Sequence, residues 1–122
     1  MTPTHVPRIL IVDDEEIIRD FLSEVLEEYD LTLAGDGDEA ISCMKEKDYD
    51  LVITDLRMPK VPGEEVVKAA KEIRPEAKVI IISGYSSLYT VSQSVNHGAF
   101  AFLSKPFSIK ELLQTVDLAL AG

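Results

Sequence analysis

Asp13, Asp14, Asp55, Ser83 and Lys105 are the residues of this sequence whose types and spacing suit chemistry. Asp13 and Asp14 follow the run Arg8-Ile9-Leu10-Ile11-Val12. Asp55 ends Leu51-Val52-Ile53-Thr54, shortly before Pro59 and Gly63 force a turn. Ser83 follows Val79-Ile80-Ile81-Ile82, and Lys105-Pro106 follows Phe100-Ala101-Phe102-Leu103 and Ser104. Gathered at one mouth, three carboxylates are costly unless something positive sits among them. Oxygen donors without sulfur or imidazole favour a hard cation, Mg2+ or Mn2+, that keeps several waters. One carboxylate can then act as a nucleophile towards phosphorus and form an aspartyl phosphate. Such transfer depends on charge neutralisation and positioning, and Lys105 and Ser83 are suited to both. Singly, each residue has a plainer reading: a surface lysine, a turn serine, acids at a helix start. Their joint placement at strand ends is what argues for chemistry.

The elements that must position them alternate along the chain. Strands are expected at Arg8–Val12, Leu31–Ala34, Leu51–Asp55, Lys78–Ile82 and Phe100–Leu103. Between Glu15 and Tyr29, apolar residues at Ile18, Phe21, Leu22, Val25, Leu26 and Tyr29 form one helix face. Asp36 with Glu39 resembles a capping box opening a helix through Lys47, and Ser108 with Glu111 does the same for a last helix to about Leu120. A third helix spans about Glu64 to Ile73 and is closed by Pro75. The fourth, opened by Gly84-Tyr85-Ser86-Ser87 and ended by Gly98, has a sparse apolar stripe and should be the least stable locally. Five strands alternating with five helices predict an α/β fold: a five-stranded parallel sheet, doubly wound, in the order 2-1-3-4-5. Its crevice lies between the first and third strands, where Asp13, Asp14 and Asp55 would be neighbours.

At 122 residues the chain is one domain, 46% apolar and 28% charged. Residues 1–7, with two prolines, read as a flexible lead into a domain of residues 8–122. No apolar run approaches the ~20 residues of a membrane helix, and the start is not a signal peptide. The single cysteine, Cys43, cannot form an internal disulfide; it reads as a small helix residue and suits a reducing cytoplasm. The net charge of −10 is uneven, since residues 13–50 hold 15 acids against 3 bases. Such a chain repels phosphate backbones, which argues against direct nucleic-acid binding by this domain.

The set Asp13-Asp14, Asp55-x-x-Met58-Pro59-x-x-x-Gly63, Ser83-Gly84 and Lys105-Pro106-Phe107 resembles the receiver domain of two-component response regulators, from about Arg8 to Leu120. The resemblance implies a cytoplasmic phosphorelay protein that accepts a phosphoryl group on Asp55 from a sensor histidine kinase or a histidine phosphotransfer protein. It implies Mg2+ (or Mn2+) held by Asp14, Asp55 and the backbone carbonyl of Arg57, with Asp13 holding metal-bound water. Ser83 would hydrogen-bond the phosphoryl group, Lys105 would pair with it, and the Lys105–Pro106 bond is expected to be cis. Ser83 and Phe102 would form a switch that rearranges the face of the fourth helix, fifth strand and fifth helix. That face would signal to a downstream target or output domain, and the resemblance also admits a phosphorylation-dependent homodimer. The sequence ends at Gly122 with no output segment, which leaves a stand-alone receiver or a piece of a longer protein.

Three rival readings fit the same residues less well. A haloacid-dehalogenase-type phosphatase wants an acid two residues past its nucleophile, where Arg57 stands. A flavodoxin-like flavin carrier needs a glycine- and hydroxyl-rich loop after the first strand, where Asp13-Asp14-Glu15-Glu16 would repel phosphate. A receiver-like module that binds without phosphorylation would not need all the reactive positions. Arg57 and Tyr85, two past Asp55 and Ser83, are poorly suited to orienting an attacking water, which predicts a long-lived phosphoryl group.

Overall fold

The computed structural model describes residues 6–58, 60–84 and 88–121. The expectations placed on residues 1–5, Pro59, Tyr85, Ser86 and Ser87 lie outside the described residues. Strands β1 (Arg8–Val12), β2 (Asp30–Ala34), β3 (Leu51–Asp55), β4 (Lys78–Ser83) and β5 (Ala101–Ser104) form one sheet in the order β2-β1-β3-β4-β5, every pair parallel. Helices α1 (Glu16–Val25), α2 (Gly37–Glu46), α3 (Gly63–Ile73), α4 (Leu88–Asn96) and α5 (Ile109–Ala121) alternate with them, as expected. The sheet divides the core in two. Ile9, Ile11, Ile53, Ile80 and Ile82 pack with α1 and α5, while Leu10, Val12, Val52, Val79 and Ile81 pack with α2 and α3. Burial on both faces explains why the central strands read as unbroken apolar runs.

The termini of the helices follow their local sequence. Asp36 caps α2 by accepting the Glu39 N–H at 2.8 Å, while the Glu39 carboxylate accepts from the N–H of Gly35 at 2.6 Å. At α5 the box is fully reciprocal, with Ser108 and Glu111 each bonding the other's N–H at 3.0 Å. Helix α1 stops at Val25 and not at Tyr29. Its last turn has no basic residue, and Glu24, Glu27 and Glu28 place negative charge where the helix dipole disfavours it. Strand β5 begins at Ala101, one residue later than expected; Phe100 is exposed and reaches β4 only through its N–H, which bonds Val79 O at 2.7 Å. Gly98, at φ +103, ends the turn after α4 in a conformation that disfavours a side chain.

One glycine fixes the loop after β3. A Cβ on Gly63 would collide with the carbonyl of Asp55 and stand 2.7 Å from Leu56 Cα, and the Gly63 N–H bonds Leu56 O at 2.9 Å. The start of α3 therefore lies directly on the backbone that carries Asp55. Overpacking of this kind typically costs about 1–3 kcal/mol. Gly63→Ala should lower the free energy of urea unfolding by roughly 2 kcal/mol, whereas Gly84→Ala, whose Cβ meets nothing within 4 Å, should leave it nearly unchanged. Equal midpoints for the wild type and the Gly63 variant would show that the close approach is not needed.

Candidate functional site

The carboxyl ends of β1, β3, β4 and β5 meet at one edge of the sheet. The Asp13 N–H bonds Ala34 O at 3.1 Å, so the β1–β2 ladder holds the chain extended one residue past β1. Asp13 is thereby buried, at 2% exposure, beside Asp55 at 7% and Ser83 at 0%. The Asp13 carboxylate accepts the Glu15 N–H at 2.9 Å, and Arg19 Nη1 donates to the Asp13 carbonyl at 2.7 Å. Those two bonds fix the turn between β1 and α1.

Asp55 accepts the Arg57 N–H on Oδ1 at 3.2 Å and the Lys105 ammonium on Oδ2 at 3.1 Å. Lys105 Nζ also lies 3.6 Å from Asp13 Oδ2 and 3.9 Å from Glu15 Oε1. It is delivered by a turn in which the Lys105 N–H bonds Ser83 O at 2.8 Å and the Lys105–Pro106 bond is cis, as expected. Phe102 lies on β5, partly buried against the α2/α3 side of the core.

The electrostatics follow from this crowding. Burial pushes the Asp13 carboxyl up from 3.8 to about 6; the Glu15 N–H and Lys105 oppose the shift, and Asp55 and Asp14 add to it. Burial pulls the Lys105 ammonium down, but the hydrogen bond and charge of Asp55, with Asp13 and Glu15, outweigh it and leave its pKa raised. Carboxylate oxygens of Asp13, Glu15 and Asp55 all lie within 4.8 Å of one another. Three hard donors crowded round one point, with one acid resisting ionisation, fit a small divalent cation.

The structure thus brings together Asp13, Asp55, Ser83 and Lys105. Asp14 is exposed at the rim, and its carboxylate lies outside the group of three. Glu15 was not singled out by sequence; its place two residues after Asp13, on the same side of an extended turn, is the signal that could have found it.

A doubly wound parallel sheet with an acidic, lysine-bridged cluster at its switch point defines an α/β domain of the flavodoxin-like class. Residues 9–117 match the response regulator receiver domain family, and the chain belongs to it. It is 37% identical to the transcriptional regulatory protein PdtaR of Mycobacterium tuberculosis over 119 residues, 93% of this chain and 57% of that protein. It is 33% identical to the DNA-binding transcriptional regulator NtrC of Azospirillum brasilense over 114 residues, 92% of this chain and 24% of that one. The chain therefore spans only part of the length of these relatives. Among solved structures, the signal receiver domain of an HD domain-containing protein from Pseudomonas fluorescens Pf-5 superposes with a TM-score of 0.92 at 30% identity, covering 99% of this chain and 91% of that one. The beryllofluoride-activated NtrC4 receiver domain dimer gives 0.88 at 37%, covering 93% and 96%.

Because the folded Asp13 carboxyl titrates above its unfolded value, its contribution is present below pH 3.8 and lost as pH rises through about 6. At about 1.4 kcal/mol per pKa unit, the ionised group costs the metal-free fold roughly 3 kcal/mol. Asp13→Asn keeps the acceptor for the Glu15 N–H. In chelator it should stabilise the protein by roughly 1–3 kcal/mol at pH 7.5, with the gain shrinking towards pH 4. A gain independent of pH, or a loss at pH 7.5, would contradict this assignment.

Proposed function

We propose that this domain accepts a phosphoryl group on Asp55 from a phosphohistidine of a sensor kinase or phosphotransfer protein in the cytoplasm. The observation that carries the reading is the Lys105 ammonium at 3.1 Å from Asp55 Oδ2, inside a buried acidic cluster at the switch point. An Asp55 oxygen attacks phosphorus, the N–P bond of the donor breaks, and its electron pair returns to the imidazole. Lys105 is placed to follow the charge onto the phosphoryl oxygens, and the Arg57 N–H keeps the carboxylate oriented. A bound Mg2+ (or Mn2+) would neutralise charge on the phosphoryl oxygens. Asp14, Asp55 and the Arg57 carbonyl are the residues that would hold it, with Asp13 acting through water.

The fully buried Ser83 and the partly buried Phe102 form the proposed switch. A new dianion draws the hydroxyl towards the pocket and frees space for the ring, which biases a two-state equilibrium of the α4-β5-α5 face. That face would signal to a target or output domain, or pair two phosphorylated copies. A solved relative at 25% identity, from Burkholderia pseudomallei, carries a phosphorylated aspartic acid with a calcium ion, which supports the acceptor role. The NtrC4 receiver dimer supports the pairing. The domain is a signalling device and not a turnover enzyme.

Incubation with acetyl phosphate and Mg2+ should add one acid-labile phosphoryl group per chain, and Asp55→Asn should abolish it. Lys105→Ala should still fold but accept at least tenfold more slowly, about 1.4 kcal/mol of barrier. Phosphorylation of the Asp55 variant to the wild-type extent would sink the proposal. The long phosphoryl lifetime ascribed to Arg57 and Tyr85 predicts faster loss from an Arg57→Asn, Tyr85→Ala double variant in a time course; slower loss would reverse that assignment.

A further inference from the structure

Helix α4 ends in a turn where the His97 N–H bonds Gln93 O and the Gly98 N–H bonds Val95 O, each at 3.0 Å. Gly98 adopts φ +103, and a Cβ there would stand 3.3 Å from Lys71 Cγ. The Lys71 ammonium is itself fixed, donating to Pro75 O at 2.8 Å and to Ala77 O at 2.9 Å. The turn thus rests on the stem of an anchored lysine. Within it, His97 Nδ1 is the one buried side-chain nitrogen or oxygen among the described residues without a hydrogen-bond partner. Shut from water and unpaired, such an atom forfeits its hydration and gains nothing in return. Little else holds this end of α4 down. None of Val91, Ser92, Gln93, Val95 and Asn96 is fully buried, and Val95 is 59% exposed.

We propose that His97 is a built-in destabiliser of the resting α4–β5 turn, and that its unpaired nitrogen sets how readily the α4-β5-α5 face switches. The nitrogen regains a partner, water or a donor, only when the end of α4 leaves its resting place. Every departure from that place is therefore favoured by the same amount. A side chain with carbon at this position would leave the fold intact and the face harder to move. The inference rests on the receiver reading and on the switch ascribed to that face.

The test is amide hydrogen exchange on the unmodified full chain, followed by a titration with beryllofluoride and Mg2+ read by NMR. His97→Gln puts carbon where Nδ1 stands and keeps a polar tip, whereas His97→Asn keeps a polar atom at that position. His97→Gln should raise the protection of the Gly98 amide and the last α4 amides about five- to thirtyfold, the range for relieving one buried unpaired group. His97→Asn should stay within about twofold of the wild type, since the two side chains differ little in helix propensity from histidine. A resting state stabilised by a given factor raises the apparent ligand midpoint by that factor. His97→Gln should therefore need about five- to thirtyfold more beryllofluoride for half of the change at Phe102. Equal protection in all three proteins, equal gains in both variants, or a gain in protection with an unchanged midpoint would each overturn the proposal. A wild type that still responds to beryllofluoride would then leave the receiver reading standing. A wild type that does not respond at all would remove both.

Discussion

The Lys105 ammonium lies 3.1 Å from an Asp55 oxygen and 3.6 Å from an Asp13 oxygen, and both acids are almost wholly buried. Burial raises the pKa of the Asp13 carboxyl, and the neighbouring Asp55 charge adds to the shift. One fixed positive charge cannot fully offset two or three negative ones. The site is therefore short of positive charge, and the proposed phosphoryl donor with its cation would meet the need that the fold creates. The proposed reactivity would follow from unfinished electrostatics more than from any single residue.

The fold supplies that arrangement through topology. Parallel strands joined by right-handed crossovers bring all carboxyl ends to one edge, and the reversal of direction between β1 and β3 opens a gap there. The two-sided apolar core makes the strands stiff, so residues one step past their ends inherit fixed positions. Gly63 and the Asp13–Ala34 bond then hold the loops close to the sheet. Chemistry resides in the loops, and precision is supplied by the strands beneath them.

Much of this was legible in the sequence for physical reasons. The runs at Ile9–Val12, Leu51–Thr54 and Val79–Ile82 are too apolar for any exposed face, so their order and burial were readable. Asp55 and Ser83 were readable because each follows directly on such a run, and Lys105 because it stands just past Phe100–Leu103 and before Pro106. The pair Asp13-Asp14 held an ambiguity that side-chain alternation alone does not resolve: one acid turns in and the other stands at the rim. Glu15 was hidden by its setting, since an exposed glutamate in a strongly acidic stretch looks like a solvated surface. The alternation of Phe100 and Phe102 suggested a longer β5, but its register with β4 starts at Ala101, and Phe100 joins β4 only by its N–H bond to Val79 O. The end of α1 was blurred because Tyr29 continues the apolar spacing while the helix itself is stopped by its own acids.

The bond from the Lys105 amide to the Ser83 carbonyl, 2.8 Å long, joins the two side chains that would report on the phosphoryl oxygens. Hydroxyl and ammonium are thus carried on peptides that are yoked together. Neither can travel far without hauling the other's backbone. The ends of β4 and β5 would then move as one lever, and a displacement beginning beneath the acidic mouth would reach the outermost strand as a rigid tug.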